Sequence, residues 1–205
     1  MNLHGIFPVP VAITELNRAF TTSELNFLCS QPVRKNTGNR SGIDADILTR
    51  PEAVDLRSFI KNSLDVYLKE VYAPCLNVRL EIIHSWINYT GQGEYHHEHF
   101  HENSFISGVF YVKANKDIDS ISFSNKSYNM IRLATNNFNL YNSSSWKFNI
   151  GTGSLVLFPS SLIHFVNPVE YNDTRVSLAF NAFPVGEISD SRQLSGLSIQ
   201  SIGVG

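Results

Sequence analysis

The sequence predicts an α+β, mainly β, fold in which helices come first and a sandwich, barrel or jelly roll follows. Three observations carry this. Helical periodicity is confined to the part of the chain before Pro74. Beyond it come short runs of β-branched and aromatic residues, separated by Gly, Asn and Ser. And 205 residues, 42% of them hydrophobic and 12% aromatic, suffice for one substantial core.

The elements follow in order. "IFPVPVAIT" (Ile6 to Thr14) is apolar and β-branched. Its prolines restrict it to a sheet edge, because proline cannot serve a central ladder. "TTSELNFLCSQ" opens with Ser/Thr capping residues and an acidic first turn, so it predicts a helix. "RKNTGNRSGIDAD" (Arg34 to Asp46) reads as a polar loop, suited by composition to a substrate lid. In "TRPEAVDLRSFIKNSLDVYLKEVY", Thr49 is the predicted cap and Pro51 falls in the first turn. Val54, Leu56, Phe59, Ile60, Leu64, Tyr67 and Leu68 keep helical spacing behind it. "VRLEIIHSWINYT", "SFISGVFYVKA", "SISFSN", "FNLYN", "WKFNI", "GSLVLFPSS" and "RVSLAFNAF" are strand signals. The tail "SRQLSGLSIQSIGVG" is small and polar, either a loose strand or unstructured. The expected organisation is one domain over 1–205. Residues 1–75 pack on a β core of 76–185, and 186–205 form a tail.

Charge and cysteine content narrow the class. The net charge is −2 and the pI near 6.4, with no Lys/Arg-rich run, so nothing marks a nucleic-acid partner. No apolar stretch approaches the ~18 residues of a membrane span. The first residues lack the basic start and apolar core of a signal peptide. Cys29 and Cys75 are too few for a disulfide framework and read as thiols of a reducing compartment, which points to a cytoplasmic protein.

The chemistry concentrates in "GEYHHEHFHENSF", where His96, His97, His99 and His101 account for four of the seven histidines. On an ideal strand, His97, His99 and His101 project to one face while His96 and Glu98 point away. Two imidazoles two residues apart chelate one cation if a third ligand arrives from elsewhere. His164, after the "LFPSS" turn, is the candidate. The competing reading is a solvated polar turn. Imidazole suits Zn, Cu, Fe and Ni alike, and thiols are too few for a structural zinc site. In "RVSLAFN", alternation directs Arg175 and Ser177 to one face and Val176, Leu178 and Phe180 to the other. A guanidinium beside a hydroxyl makes a seat for a carboxylate. The competing reading is a surface arginine paired with a nearby acid.

Taken jointly, "WINY", a glycine followed six residues later by His-x-His, "SGVFYV", "GSLVLFPSSLIH" and "RVSLAFN" resemble the Fe(II)/2-oxoglutarate-dependent oxygenases. In particular they resemble a small group found in marine bacteria and their phages. The resemblance implies a double-stranded β-helix (a jelly roll, cupin-like) and supporting N-terminal helices. It implies Fe(II), 2-oxoglutarate and O2 as cofactor and cosubstrates, with His99, His101 and His164 as iron ligands. Arg175 and Ser177 would hold the far carboxylate of 2-oxoglutarate, with Tyr111 and Asn88 as further contacts. The wider superfamily has a carboxylate where this sequence has His101. Taking His96 and Glu98 as the first pair restores that carboxylate, at a poorer spacing from Gly93. The implied reaction couples decarboxylation of 2-oxoglutarate to oxidation of a small-molecule or peptidyl substrate. It would run in the cytoplasm, or in the host's if phage-encoded, and a homodimer is compatible with it. Two alternatives stand beside it: a cupin-type metal-dependent dioxygenase or isomerase without 2-oxoglutarate, and a non-catalytic jelly-roll module.

Overall fold

A computed structural model describes residues 1–126, 131, 133–189 and 194–202. Twelve strands are defined among them: β1 (Ala12–Glu15), β2 (Val33–Lys35), β3 (Arg40–Gly42), β4 (Val78–Thr90), β5 (His96–His99), β6 (Ile106–Lys113), β7 (Ser120–Ser124), β8 (Ser145–Asn149), β9 (Ser154–Pro159), β10 (His164–Val166), β11 (Arg175–Glu187) and β12 (Ser198–Ile199). One sheet runs β1-β9-β6-β11-β4-β3-β2, with β12 paired to β11, and the other runs β5-β10-β7-β8. Every strand pairing in both sheets is antiparallel. Side chains of both sheets pack together in one apolar cluster, Tyr111, Ile121, Phe123, Ile150, Val156 and Phe158. The sheets therefore face each other as a jelly roll.

Period-two alternation divides the large sheet into two chemistries. Ile87 and Tyr89 of β4, Ile106 and Phe110 of β6, Leu155 and Leu157 of β9, and Leu178 and Phe180 of β11 share a second core with the helices. The other face of the same strands looks into the jelly roll. Helix α2 (Val54–Tyr67) supplies Leu56, Ile60, Leu64 and Tyr67 to the helix-side core, all at helical spacing. Burying each such side chain stabilises the fold by roughly 1.5–3 kcal/mol. Helix α1 (Thr22–Cys29) begins with a capping box between Thr21 and Glu24. It is tied to β4 through Tyr89, whose hydroxyl donates to Leu28 O at 2.8 Å and accepts from Gln31 N at 3.0 Å. Gly108 on β6 is required by packing: a Cβ there would lie 2.1 Å from Phe180 Cζ.

Several expectations need correcting. The edge strand is Ala12–Glu15 and pairs only with β9, so Pro8 and Pro10 lie outside the ladder. The segment read as a loop forms the hairpin β2–β3, laid beside β4 through Arg40↔Tyr89 and Ser41↔Asn88. Thr49 does not cap α2. Its hydroxyl donates to Asp46 O at 2.8 Å, closing a 3-10 turn, and a second 3-10 turn opened by Pro51 leads into the helix. "FNLYN" is no strand, because the Asn139 carboxamide accepts from Tyr141 N at 2.8 Å and holds a turn. Of the tail, Ser198–Ile199 pairs with β11, and part of the stretch lies outside the described residues. No helix among the described residues is long and apolar enough to cross a membrane.

Candidate metal centre

Strand pairing brings the histidines together. His164 opens β10 and lies directly opposite His99 at the end of β5. His101 follows in the next turn, fastened by its backbone N–H to Ser160 O at 2.9 Å. The imidazole centroids are 4.3 Å apart for His99 and His164, 5.1 Å for His101 and His164, and 5.1 Å for His99 and His101. One ring nitrogen from each lies within 4.8 Å of the others, the one such trio of potential ligands among the described residues.

The donor set fits a metal ion. Nδ1 of His99 faces His97 O at 2.7 Å, and Nδ1 of His164 faces Leu162 O at 3.0 Å. A carbonyl only accepts, so in both rings Nδ1 carries the proton and Nε2 keeps its lone pair. Metal-ligating imidazoles use this arrangement to fix tautomer and ring plane. Burial, reinforced by the neighbouring imidazoles, pushes His164 down to about 2 and His101 to about 4. It lowers His99 as well. His101 and His164 thus stay neutral, and so competent to ligate, well into acid.

His96 is nearer the site than strand alternation predicts. Four residues of β5 (His96 to His99) run beside three of β10 (His164 to Val166), a β-bulge. The extra residue turns His96 inward, where it stacks on His99 at 4.5 Å and 19°. It lines the inner cleft, and burial lowers its pKa to about 3. Glu98 does not join it in an alternative trio, because its carboxylate pairs with Lys126 Nζ at 2.7 Å on the exposed side. His4 is exposed, and His84 lines a separate surface pocket with Arg57 and Lys61.

Behind the histidines lies a narrow cleft walled by Asn88, Tyr111, Arg175 and Ser177, which strand pairing places side by side: Ser177 opposes Asn88 on β4 and Tyr111 on β6. The Tyr111 hydroxyl and Asn88 Oδ1 are buried without a hydrogen-bond partner among the described residues. Burial raises the Tyr111 phenol, which remains a neutral donor. Orphaned polar atoms beside a guanidinium fit a polar ligand. Arg175 is not free, however. Its Nη1 donates to Asp119 Oδ1 at 3.2 Å, and the two side chains are 4% and 3% exposed. The alternative of an arginine paired with an acid thus holds in part, although the pair is buried. Asp119 and Tyr171, whose hydroxyl donates to Asp119 Oδ2 at 2.6 Å, carry no sequence signal. Trp86 does: it shares the β4 face of Asn88, and its ring lies 5.8 Å from His101.

In front of the histidines, the chain opens into a bowl of about 610 Å³ lined by Glu98, Phe100, Glu102, Ile163 and Asn181. His99 and His101 line both spaces. His99 and His101 therefore border both the inner cleft that Arg175 lines and the solvent-open bowl, and His164 borders the cleft.

Residues 84–181 match the model of a protein family described as "Putative 2OG-Fe(II) oxygenase". None of the curated proteins compared matches the sequence. Among solved structures, the fold is similar to an oxidoreductase of the 2OG-Fe(II) oxygenase family from Burkholderia pseudomallei. The two share 12% identity at a TM-score of 0.58, over 84% of this chain and 83% of that one. It is also similar to HygX from Streptomyces hygroscopicus with nickel, 2-oxoglutarate and hygromycin B bound, at 12% identity and a TM-score of 0.56, over 96% and 94%. A prolyl-4-hydroxylase from Pseudomonas putida gives 14% identity and a TM-score of 0.52, over 84% and 92%.

Proposed function

We propose that this chain, whose residues 84–181 match the model of the 2OG-Fe(II) oxygenase family, is an Fe(II)- and 2-oxoglutarate-dependent oxygenase acting on a small molecule or peptidyl side chain. The carrying observation is that the three imidazoles share one buried cleft with Arg175, Ser177 and Tyr111, while His99 and His101 also border the open bowl. An iron held by His99, His101 and His164 would supply oxygen activation driven by decarboxylation of 2-oxoglutarate to succinate.

The chain's own residues do the rest. Arg175, Ser177 and the Tyr111 hydroxyl offer donors to a carboxylate at the closed end and fix the cosubstrate's direction. Leu162 O and His97 O hold two ligands in one tautomer. Val109, Ile121 and Val166 line the cleft with apolar surface and limit water there. The bowl admits the second substrate from the opposite side, so the two reactants meet at the histidines without sharing an entrance.

One observation favours the cupin-type alternative, which needs no 2-oxoglutarate: Asp119 already supplies Arg175 with a counter-charge. The test separates the two. Tag-free protein given Fe(II) and then 2-oxoglutarate without air should develop a weak visible charge-transfer band, and admitting air should release succinate. Stoichiometric iron with neither band nor succinate would transfer the case to the alternative. No iron uptake at all would leave a non-catalytic module.

A further inference from the structure

We infer that Asp119 is the positioning residue for Arg175, and that through it the site distinguishes a 2-oxo diacid from a 2-oxo monoacid. This rests on the cosubstrate reading above and concerns a side chain that touches neither the histidines nor the proposed cosubstrate.

Asp119 stands immediately before β7 and is immobilised from every side. Its backbone N–H donates to Asn115 O at 2.7 Å, and its carbonyl accepts from Ile150 N at 3.0 Å. Its Oδ2 accepts from Asn115 N at 2.8 Å and from the Tyr171 hydroxyl at 2.6 Å. Among the described residues, Oδ1 accepts from Arg175 Nη1 alone. The contact is end-on, through one nitrogen. A guanidinium has five donors in a rigid fork, and Arg175 has no other hydrogen-bond partner among the described residues. Because Arg175 lines the cleft, the unused edge of the fork is available to a second carboxylate there.

Two physical demands meet in this arrangement. A buried guanidinium needs a counter-charge whether or not ligand is bound, and Asp119 provides it in the empty site. A flexible arginine side chain would otherwise lose much of its rotamer freedom on each binding event, and an end-on carboxylate removes that loss in advance. A metal ion held by the histidines would meet the same chelating groups in any 2-oxo acid. Only the distal carboxylate reaches Arg175, so only its contribution depends on Asp119.

The experiment compares 2-oxoglutarate with pyruvate, which has the same 2-oxo acid group and no distal carboxylate. Binding of each to the Fe(II)-loaded protein is measured by anaerobic calorimetry for wild type, D119N and Y171F. Wild type should prefer 2-oxoglutarate. D119N should lower 2-oxoglutarate affinity at least about tenfold while leaving pyruvate within about twofold, so that the preference collapses. Y171F, which keeps the ion pair and removes one hydrogen bond to Asp119, should reduce the preference about threefold. It keeps the inference testable if D119N fails to fold. An unchanged preference in Y171F and D119N, or equal weakening of both acids, would overturn the positioning role while leaving the oxygenase reading intact. A wild type without preference for 2-oxoglutarate would overturn both.

Discussion

The two ends of the inner cleft are built on opposite electrostatic plans. At the histidine end, His96, His99, His101 and His164 crowd together with their pKa values pushed down, and no carboxylate among the described residues joins the trio. At the other end, a permanent cation already has its anion, Asp119, in a buried and hydrogen-bonded pair. One end is electrically open and calls for a cation. The other is closed and has hydrogen-bond donors left over. The contrast shows two ways to bury titratable groups: imidazoles are kept neutral, whereas a guanidinium that cannot be neutralised is paired.

The largest expected effect breaks the histidine end. H164A removes the most buried of the three imidazoles and should lower iron affinity by on the order of 100-fold or more, read as lost stoichiometry after dialysis. Circular dichroism should stay native, and iron retained at wild-type level would show that the trio is not the ligand set. Next comes the arginine end. R175A leaves Asp119 buried without its partner and should destabilise the protein by roughly 3–5 kcal/mol in urea unfolding. It should also remove 2-oxoglutarate binding while the metal-free trio still takes up iron. An unchanged midpoint would mean that the pair is not buried in solution.

A smaller effect tests the same contrast through pH. The imidazoles are lowered in the folded state, so between their ordinary value near 6.5 and the folded values the unfolded chain binds more protons. Stability of the metal-free protein should therefore fall as pH drops from about 6.5 towards 4, by up to ~1.4 kcal/mol per pH unit for each proton involved. H96Q should make that slope shallower, as differential scanning calorimetry across the window would show. Saturating Zn(II) should hold the trio deprotonated and flatten the slope further. The smallest effect is at the bowl's rim. E98Q breaks an exposed pair with Lys126 and should leave iron stoichiometry and thermal midpoint unchanged. A loss of iron in that variant would restore Glu98 as a ligand.

Much of this was legible in the sequence, for reasons that the failures clarify. Strand alternation correctly put Arg175 and Ser177 on one face of β11 and Val176, Leu178 and Phe180 on the other, because that strand is long and buried on both sides. The same rule failed for His96, because a four-residue strand at a bulge does not keep its parity. It placed His97 with His99 and His101, whereas His97 lines an outer pocket with Tyr95 and Phe165. Asp119 was invisible: an Asp before a strand looks like any turn residue, and its side-chain partners Tyr171 and Arg175 lie 52 and 56 positions away in the chain. The hairpin β2–β3 was hidden by its polar composition, although "NTGN" between two short arms is itself a turn signal. Long regular elements announce themselves through period; contacts between chain-distant polar groups leave no local trace.

The inserted residue in β5 means that counting along the chain and counting across the sheet disagree by one just before the first ligand. Comparison of this protein with others must therefore allow a gap between positions 96 and 99, or it will equate side chains on opposite surfaces. The same offset offers a way to redesign the site. Deleting His97 or Glu98 would restore regular pairing and remove the bulge, yet leave His96 two positions from His99, opposite Val166 and still facing inward.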